Sequence, residues 1–548
     1  MVEENSQTNQ LSREEKMLRG TAWLTFANIA GRLLGAVYII PWYAWMGKVA
    51  PQANALYGMG YTLYATFLVL STTGINTAIS KQIAKYNAID QEAKGIGLAK
   101  QFIGIMFLSG LIFASILYLG APLLSRLSGA EQTLVPVLRS LTLAVLVFPM
   151  MSVCRGIFQG YHHVKPNALS QLAEQLIRVI WMLLTTFYIM KMGSKDYVSA
   201  VTQSTFAAFV GMFASFAVLG YYFWQSGLLS KFLKASPIKV QYQESLQLIK
   251  ETFRTAIPMI LTGVAIQLYQ LIDQATFVNV LLFLTEDSKE RLTVIYAYLS
   301  ANPNKIVMLI VAVAITIGDV GIPLLTESHL KGDKRGVARL MLNGFQMLTV
   351  FALPALMGAI LLAEPLYVVF YNPSENLAIG LFIATLVQTF LQCTYFALSP
   401  VLHAVNESRA AVRYFYYGVV VKLLTQLPLL FLFQAYGPVL STALALLVPS
   451  ILFYRHLRAV TQFNPNILVR DTALIARNTL LMCVPVFAVY WSLSLVIQPS
   501  SRLLAAVHLV VGASVGMMVY GYLSLKTRSL DKLLGQRAQR LRDICRIR

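Results

Sequence analysis

The segment Gly20 to Trp42, GTAWLTFANIAGRLLGAVYIIPW, decides what kind of protein this is. As a helix rising about 1.5 Å per residue it is long enough to cross a hydrocarbon core about 30 Å thick, and Arg32 is its only charged residue. A guanidinium at the bilayer centre costs roughly 2.5 to 3.5 kcal/mol on insertion scales, so Arg32 must face protein or a wet cavity rather than lipid chains. Thr21, Thr25, Asn28, Arg32 and Gly35 recur every three or four residues and therefore share one stripe of the helix. A polar stripe on an apolar helix faces something wet, which makes a transport path the first function to consider.

The rest of the chain repeats the pattern. Of 548 residues, 57% are hydrophobic and 12% charged, and the mean hydropathy is +0.63. A soluble core cannot use that much apolar surface, so the expected class is an all-α integral membrane protein. About fourteen transmembrane helices are expected, near 20–42, 54–77, 101–123, 134–154, 168–190, 197–224, 254–284, 304–326, 340–362, 376–400, 410–434, 436–455, 473–497 and 502–525. The basic residues alternate from loop to loop: 32 of the 44 Lys and Arg fall on the side that holds both termini, 7 on the other and 5 within spans. The positive-inside rule then places both termini in the cytoplasm. The net charge of +20 thus follows topology and does not indicate nucleic acid; the basic tail from Lys526 to Arg548 is suited to anionic membrane lipids. The first nineteen residues are polar and the first apolar stretch is too long for a cleaved leader, so it is expected to remain as a span. Cys154, Cys393, Cys483 and Cys545 have no metal-ligand spacing and are expected to be free thiols.

The longest connection on the basic side, Gln225 to Arg254, divides the chain. The expected organisation is an N-lobe of six helices at 1–225 with a cytoplasmic N-terminus, a basic cytoplasmic linker at 226–253, and a C-lobe of six helices at 254–455. Two further helices at 456–525 and a basic cytoplasmic tail at 526–548 follow. A shift of 244 residues overlays Lys165 on Arg409 and Arg178 on Lys422, the mark of a parallel repeat. Two pseudo-symmetric six-helix lobes around a central cavity, in a V-shaped bundle, are the expected architecture.

Polar faces recur on other spans. The seventh carries Gln267, Gln270 and Gln274 with Asp273 beside them, and the eighth places Lys305, Ala312, Thr316 and Asp319 on one face. With the Arg32 stripe these residues either line one cavity or make hydrogen bonds that hold helices together. Asp273 is either a counter-ion for Arg32 and Lys305 or a site for a coupling cation. Glu174 and Arg178 have the i,i+4 spacing of an ion pair. Lys422 has no acid at helical spacing and needs a partner from elsewhere, a ligand, or loss of its proton. Tyr57, Tyr61 and Tyr64 form a stripe suited to stacking on sugar rings or to a membrane interface, with the interface preferred. Prolines 41, 149, 258, 354, 428, 449 and 485 fall in or at the ends of spans.

An enzyme is not expected. No carboxylate pair, zinc pattern, phosphate loop or nucleophile elbow accompanies the adjacent His162 and His163, so no catalytic or metal residues and no cofactor are assigned. Uphill transport would draw on the membrane potential, a monovalent cation gradient or another protein.

Three motifs carry a resemblance to a known family: Gly31-Arg32-Leu33-Leu34-Gly35, Gly74-Ile75-Asn76-Thr77-Ala78-Ile79-Ser80-Lys81, and Arg155-Gly156-Ile157-Phe158-Gln159-Gly160 through Pro166 into Gln171 and Arg178. In order and depth they resemble the multidrug/oligosaccharidyl-lipid/polysaccharide exporter superfamily, nearest its bacterial lipid II flippase and spore-cortex-type branch. The resemblance implies two six-helix lobes, a cavity lined by the first, second, seventh and eighth helices, and a lipid-accessible groove at the last two. It also implies that Arg32 and approximately Lys305 hold a lipid diphosphate; the polar stripes themselves put Asn28, Asp273, Gln270 and Gln274 in the same cavity, and Glu174, Arg178, Lys422 and Asp319 are read as gating or structural charges. The flippases of that branch carry arginines in their second helix, whereas this chain reads Phe67-Leu68-Val69-Leu70-Ser71 there. The implied function is export of an undecaprenyl-diphosphate-linked saccharide, most simply lipid II, across a bacterial plasma membrane, alongside membrane lipids and cell-wall synthesis proteins. A cation-coupled multidrug exporter, a flippase for another polysaccharide or teichoic-acid intermediate, and a non-transporting envelope scaffold are the alternatives.

Overall fold

A computed structural model describes residue 27 and residues 30–72, 75–88, 91–161, 163–234, 257–372, 375–531 and 536–544. Among these residues the structure is helical and contains no strand. The first elements are residues 30–37 (α1), Ile39–Met46 (α2), Ala50–Thr72 (α3), Ile75–Ala88 (α4), Glu92–Leu127 (α5), Leu134–Gly160 (α6), Val164–Phe187 (α7), Tyr197–Gln225 (α8) and Leu228–Lys234 (α9). Residues 257–263 (α10) and Ala265–Leu284 (α11) follow. The remainder comprises Lys289–Tyr296 (α12), Asn302–Leu330 (α13), Lys334–Leu361 (α14), Ala363–Tyr371 (α15), Asn376–Ala404 (α16), Ser408–Phe433 (α17), Gly437–Thr461 (α18), Pro465–Val496 (α19), Arg502–Lys526 (α20) and Gln536–Ile544 (α21).

Among the described residues, eleven helical stretches are long and apolar enough to cross a membrane. Two of them, Ala30–Thr72 with 43 residues and Ser408–Thr461 with 54, are too long for one crossing. Each is broken by a 3₁₀ turn: Gly47–Val49, where Gly47 has φ 63°, and Gln434–Tyr436, where Gln434 has φ 46°. Each therefore supplies two crossings. The 20-residue α11 has the length of a span, and Asp273 with three glutamines lowers its hydropathy. The result is consistent with fourteen spans.

Contacts divide the chain into two compact units, Met1–Gln274 and Ala275–Arg548. The division falls within α11, and most of the basic linker expected at 226–253 lies outside the described residues. In the first unit, glycines let helices approach closely. A Cβ on Gly110 of α5 would lie 2.3 Å from the carbonyl oxygen of Leu146 on α6, and one on Gly211 of α8 would lie 2.6 Å from that of Glu174 on α7. The close α7–α8 approach brings polar residues of both helices within reach of α6. In the second unit, α19 and α20 pair with each other and pack on α14 and α15, where Met482 and Val486 bury against Leu362. Helices run on through Pro149, Pro354, Pro428, Pro449 and Pro485, and also through Pro122 and Pro400.

Candidate functional site

The site grows from the first membrane-spanning stretch. Gly31 and Gly35 are one turn apart on α1 and face α7: a Cβ on either would lie 3.9 and 3.4 Å from the Gln175 side chain. The Gln175 side chain of α7 thus lies alongside this face of α1. Arg32, between them in sequence, is half-buried. Further along, Trp42 is almost fully buried and donates its indole Nε1 to Ser204 Oγ on α8 at 3.0 Å, which anchors α2 in the unit.

Arg178 lies on α7 and does not bond Glu174. Its Nη2 donates to Tyr57 Oη on α3 at 3.2 Å, and its guanidinium sits 5.2 Å from the centre of the Tyr61 ring. Tyr57 and Tyr61 stack at 5.9 Å with an interplanar angle of 10°, and Tyr61 meets Tyr64 at 5.7 Å. Tyr57 also bonds the hydroxyl of Tyr38, and Tyr61 lies within electrostatic reach of Arg32. The stripe expected at a membrane interface is therefore packed inside the unit, with Tyr57 and Tyr64 buried. A cation over an aromatic face is attracted by the ring quadrupole, and the stack holds the guanidinium in a fixed plane. Arg32, Tyr61 and Arg178 are half-buried, so they form the accessible part of this arginine–tyrosine cluster.

The partner of Glu174 is Arg155 of α6. Arg155 Nη2 donates to Glu174 Oε2 at 2.6 Å and to Ser215 Oγ at 2.9 Å, while its Nε donates to Ser170 Oγ at 3.1 Å. The i,i+4 pairing read from the sequence is corrected for a physical reason. Arg155 is only 7% exposed and needs a counter-charge, whereas Arg178 finds acceptors and ring faces on α3. Arg155 belongs by sequence to the end of a span, and nothing local reveals that α7 and α8 close over it.

On α11, Gln274 serves packing. It is 2% exposed and its Nε2 donates to Ser128 Oγ at 2.7 Å and to the Met59 carbonyl at 3.3 Å. Gln270 and Asp273 are half-buried on the same helix. Lys305 is half-buried near the start of α13 and belongs to the second unit. There Tyr371 donates its hydroxyl to the Asn302 carbonyl at 2.7 Å and fixes the start of that helix, which follows a π-turn at Ala297–Ala301. Lys422 is fully buried, and its ammonium donates to Thr442 Oγ1 at 2.7 Å and the Pro438 carbonyl at 3.3 Å. Its partners thus include backbone and hydroxyl groups of α18. Asn28 and the side chain of Asp319 lie outside the described residues. Among the described residues Cys154, Cys393 and Cys483 are free thiols.

Comparison with known proteins gives this arrangement a context. The chain is 32% identical over 541 residues to the lipid II flippase MurJ of Bacillus subtilis (strain 168), covering 95% of this chain and 97% of that protein. Its fold is similar to a solved lipid II flippase MurJ in an inward closed conformation, with a TM-score of 0.61 at 15% identity over 92% of this chain and 99% of that one. It is also similar to an inward-facing multidrug resistance MATE family transporter of the MOP superfamily, with a TM-score of 0.59 at 15% identity over 78% and 94%. A family model described as "Polysaccharide biosynthesis protein" matches residues 17–329, which hold Arg32, the tyrosine stripe, Arg155, Arg178 and α11. On that match and the near full-length kinship, the chain belongs to the polysaccharide biosynthesis protein family.

Proposed function

We propose that the protein moves lipid II, an undecaprenyl-diphosphate-linked saccharide, from the inner to the outer leaflet of a bacterial plasma membrane. The observation that carries this reading is the near full-length similarity to a lipid II flippase. The arginine–tyrosine cluster supplies a chemical rationale. The diphosphate is the part of the substrate that cannot enter hydrocarbon, and Arg32 can replace its hydration with charge-assisted, bidentate hydrogen bonds. Arg178 brings a guanidinium to the second span, whose own sequence lacks arginine near Phe67–Ser71. Lys305 is a further candidate for the anionic headgroup. The polyprenyl tail stays in lipid, so no covalent chemistry is required.

Transport follows alternating access with both termini cytoplasmic, a reading supported by the asymmetry of basic residues. With the interior negative, outward passage of two negative charges is favoured by about 4 to 5 kcal/mol at 100 mV, which biases the direction. Proteins that supply the lipid inside and consume it outside are the natural partners.

Purified protein in liposomes should move fluorescent lipid II to the opposite leaflet faster than protein-free liposomes and leave a cationic dye in place. Dye movement under a cation gradient without lipid movement would make the protein a multidrug exporter; movement of neither would favour a scaffold. In the same assay Asp273→Asn should slow turnover several-fold while leaving lipid binding near the parent value, because an empty site needs a counter-charge more than an occupied one. Loss of dependence on a sodium or proton gradient would instead assign Asp273 to a coupling cation, and parental behaviour in rate, affinity and gradient dependence would remove both roles.

A further inference from the structure

We propose that a cleft in the second unit, between α14, α19 and the C-terminal end of α20, is a binding site for a phosphate-bearing anion held by Arg470, Arg477 and Arg528. The site is separate from the arginine–tyrosine cluster and independent of the substrate assigned above. The cleft has a volume of about 580 Å³, within the range of small-ligand sites.

Arg470 and Arg477 are seven residues apart on α19 and share a face, and Arg528 comes from the turn that ends α20. Three arginines from the ends of two helices thus line one cleft. Neither Arg477 nor Arg528 has an acidic partner among the described residues, and Arg470 has only Asp471 Oδ1 at 3.8 Å. Asp531, the nearest acid after Arg528 in sequence, bonds Arg542 at 2.6 Å. Against one carboxylate the cleft carries three permanent positive charges, an arrangement that repels itself when empty and is relieved by an anion.

The wall is polar as well. Gln346 of α14 is 8% exposed and lines the cleft, and its Oε1 has no hydrogen-bond partner. A half-turn of that amide presents its Nε2 donors instead. Asn478, fully buried, donates Nδ2 to Thr527 Oγ1 at 2.7 Å and so fixes the turn that carries Arg528, whose backbone is left-handed at φ 58°. Orientation of a membrane protein requires basic residues near helix ends; it does not require them to meet over one cleft. Planar guanidinium forks match phosphate oxygens in pairs, which identifies the ligand class. The phosphate can belong to a membrane-lipid headgroup or to a soluble molecule.

The test uses the full chain in nanodiscs of neutral phosphatidylcholine, in an Arg32→Ala background that weakens binding at the first unit's site. Inorganic diphosphate should bind saturably, and the double substitution Arg477→Gln, Arg528→Gln should weaken it about tenfold or more. The Lys counterparts, Arg477→Lys and Arg528→Lys, should recover part of the affinity, which a merely structural defect would not. In a second arm, native mass spectrometry follows retention of phosphatidylglycerol from mixed nanodiscs. Retention that falls in the Gln variant and is competed by diphosphate identifies a headgroup; diphosphate binding without such retention identifies a soluble ligand. Parent and Gln variant behaving alike in both arms overturns the site. All three arginines line an accessible cleft, so the variants are expected to fold, and unfolding temperatures within a few degrees of the parent check this.

Discussion

Arg32→Ala is expected to abolish support of cell growth when the chain replaces an essential lipid II flippase, with membrane insertion and yield unchanged. A guanidinium in a membrane-embedded helix carries an insertion penalty of roughly 2.5 to 3.5 kcal/mol, so loss of function without loss of protein points to binding. The translocation rate in liposomes should fall about tenfold to a hundredfold, the range for loss of a charge-assisted hydrogen bond. Arg32→Lys should keep only part of the rate, because an ammonium is a point charge and cannot reproduce the planar fork. Parental rates for Arg32→Ala would remove the diphosphate role, and a collapse in yield would make the residue structural.

The second large effect concerns folding. Arg155→Ala should destabilise the first unit by about 3 to 5 kcal/mol, because it leaves Glu174 without its 2.6 Å counter-charge. Glu174→Leu should cost a similar amount by stranding Arg155 between Ser170 and Ser215. Replacing both, as Arg155→Met with Glu174→Leu, should recover most of the loss, since an apolar pair needs no compensation. The check is a double-mutant cycle on thermal unfolding in detergent. If the double variant is as unstable as the sum of the singles, the pair is not coupled and the ion-pair account fails.

The spans were readable because each must satisfy its own backbone hydrogen bonds in hydrocarbon, which leaves length and composition as sufficient signals. The weakest signal came from α11, where Asp273 and its glutamines reduce hydropathy, yet its length still marks a span. Arg32 was legible for the same reason, since a lone charge in an apolar helix is conspicuous in any window. Gln274 could be read only as cavity or packing, and its bonds to Ser128 and the Met59 carbonyl resolve it as packing.

The partners of the remaining charges depend on which helices become neighbours. Glu174 and Arg178 satisfy the local rule for an ion pair, but the rule compares residues on one helix surface and is silent about Arg155, nineteen residues away in sequence. Arg178 instead reaches Tyr57 across 121 residues, and Lys422 reaches the Thr442 hydroxyl and Pro438 carbonyl beyond a helix turn. Sequence alone therefore determined the membrane class, the spans, the family resemblance and the conspicuous arginine, all set by short-range burial and backbone constraints. Only the tertiary structure decided that the tyrosine stripe faces Arg178 rather than the membrane interface, and that three arginines near the chain's end meet over one cleft. Those outcomes turn on packing between distant helices, where small residues such as Gly110 and Gly211 permit an approach that no local periodicity encodes.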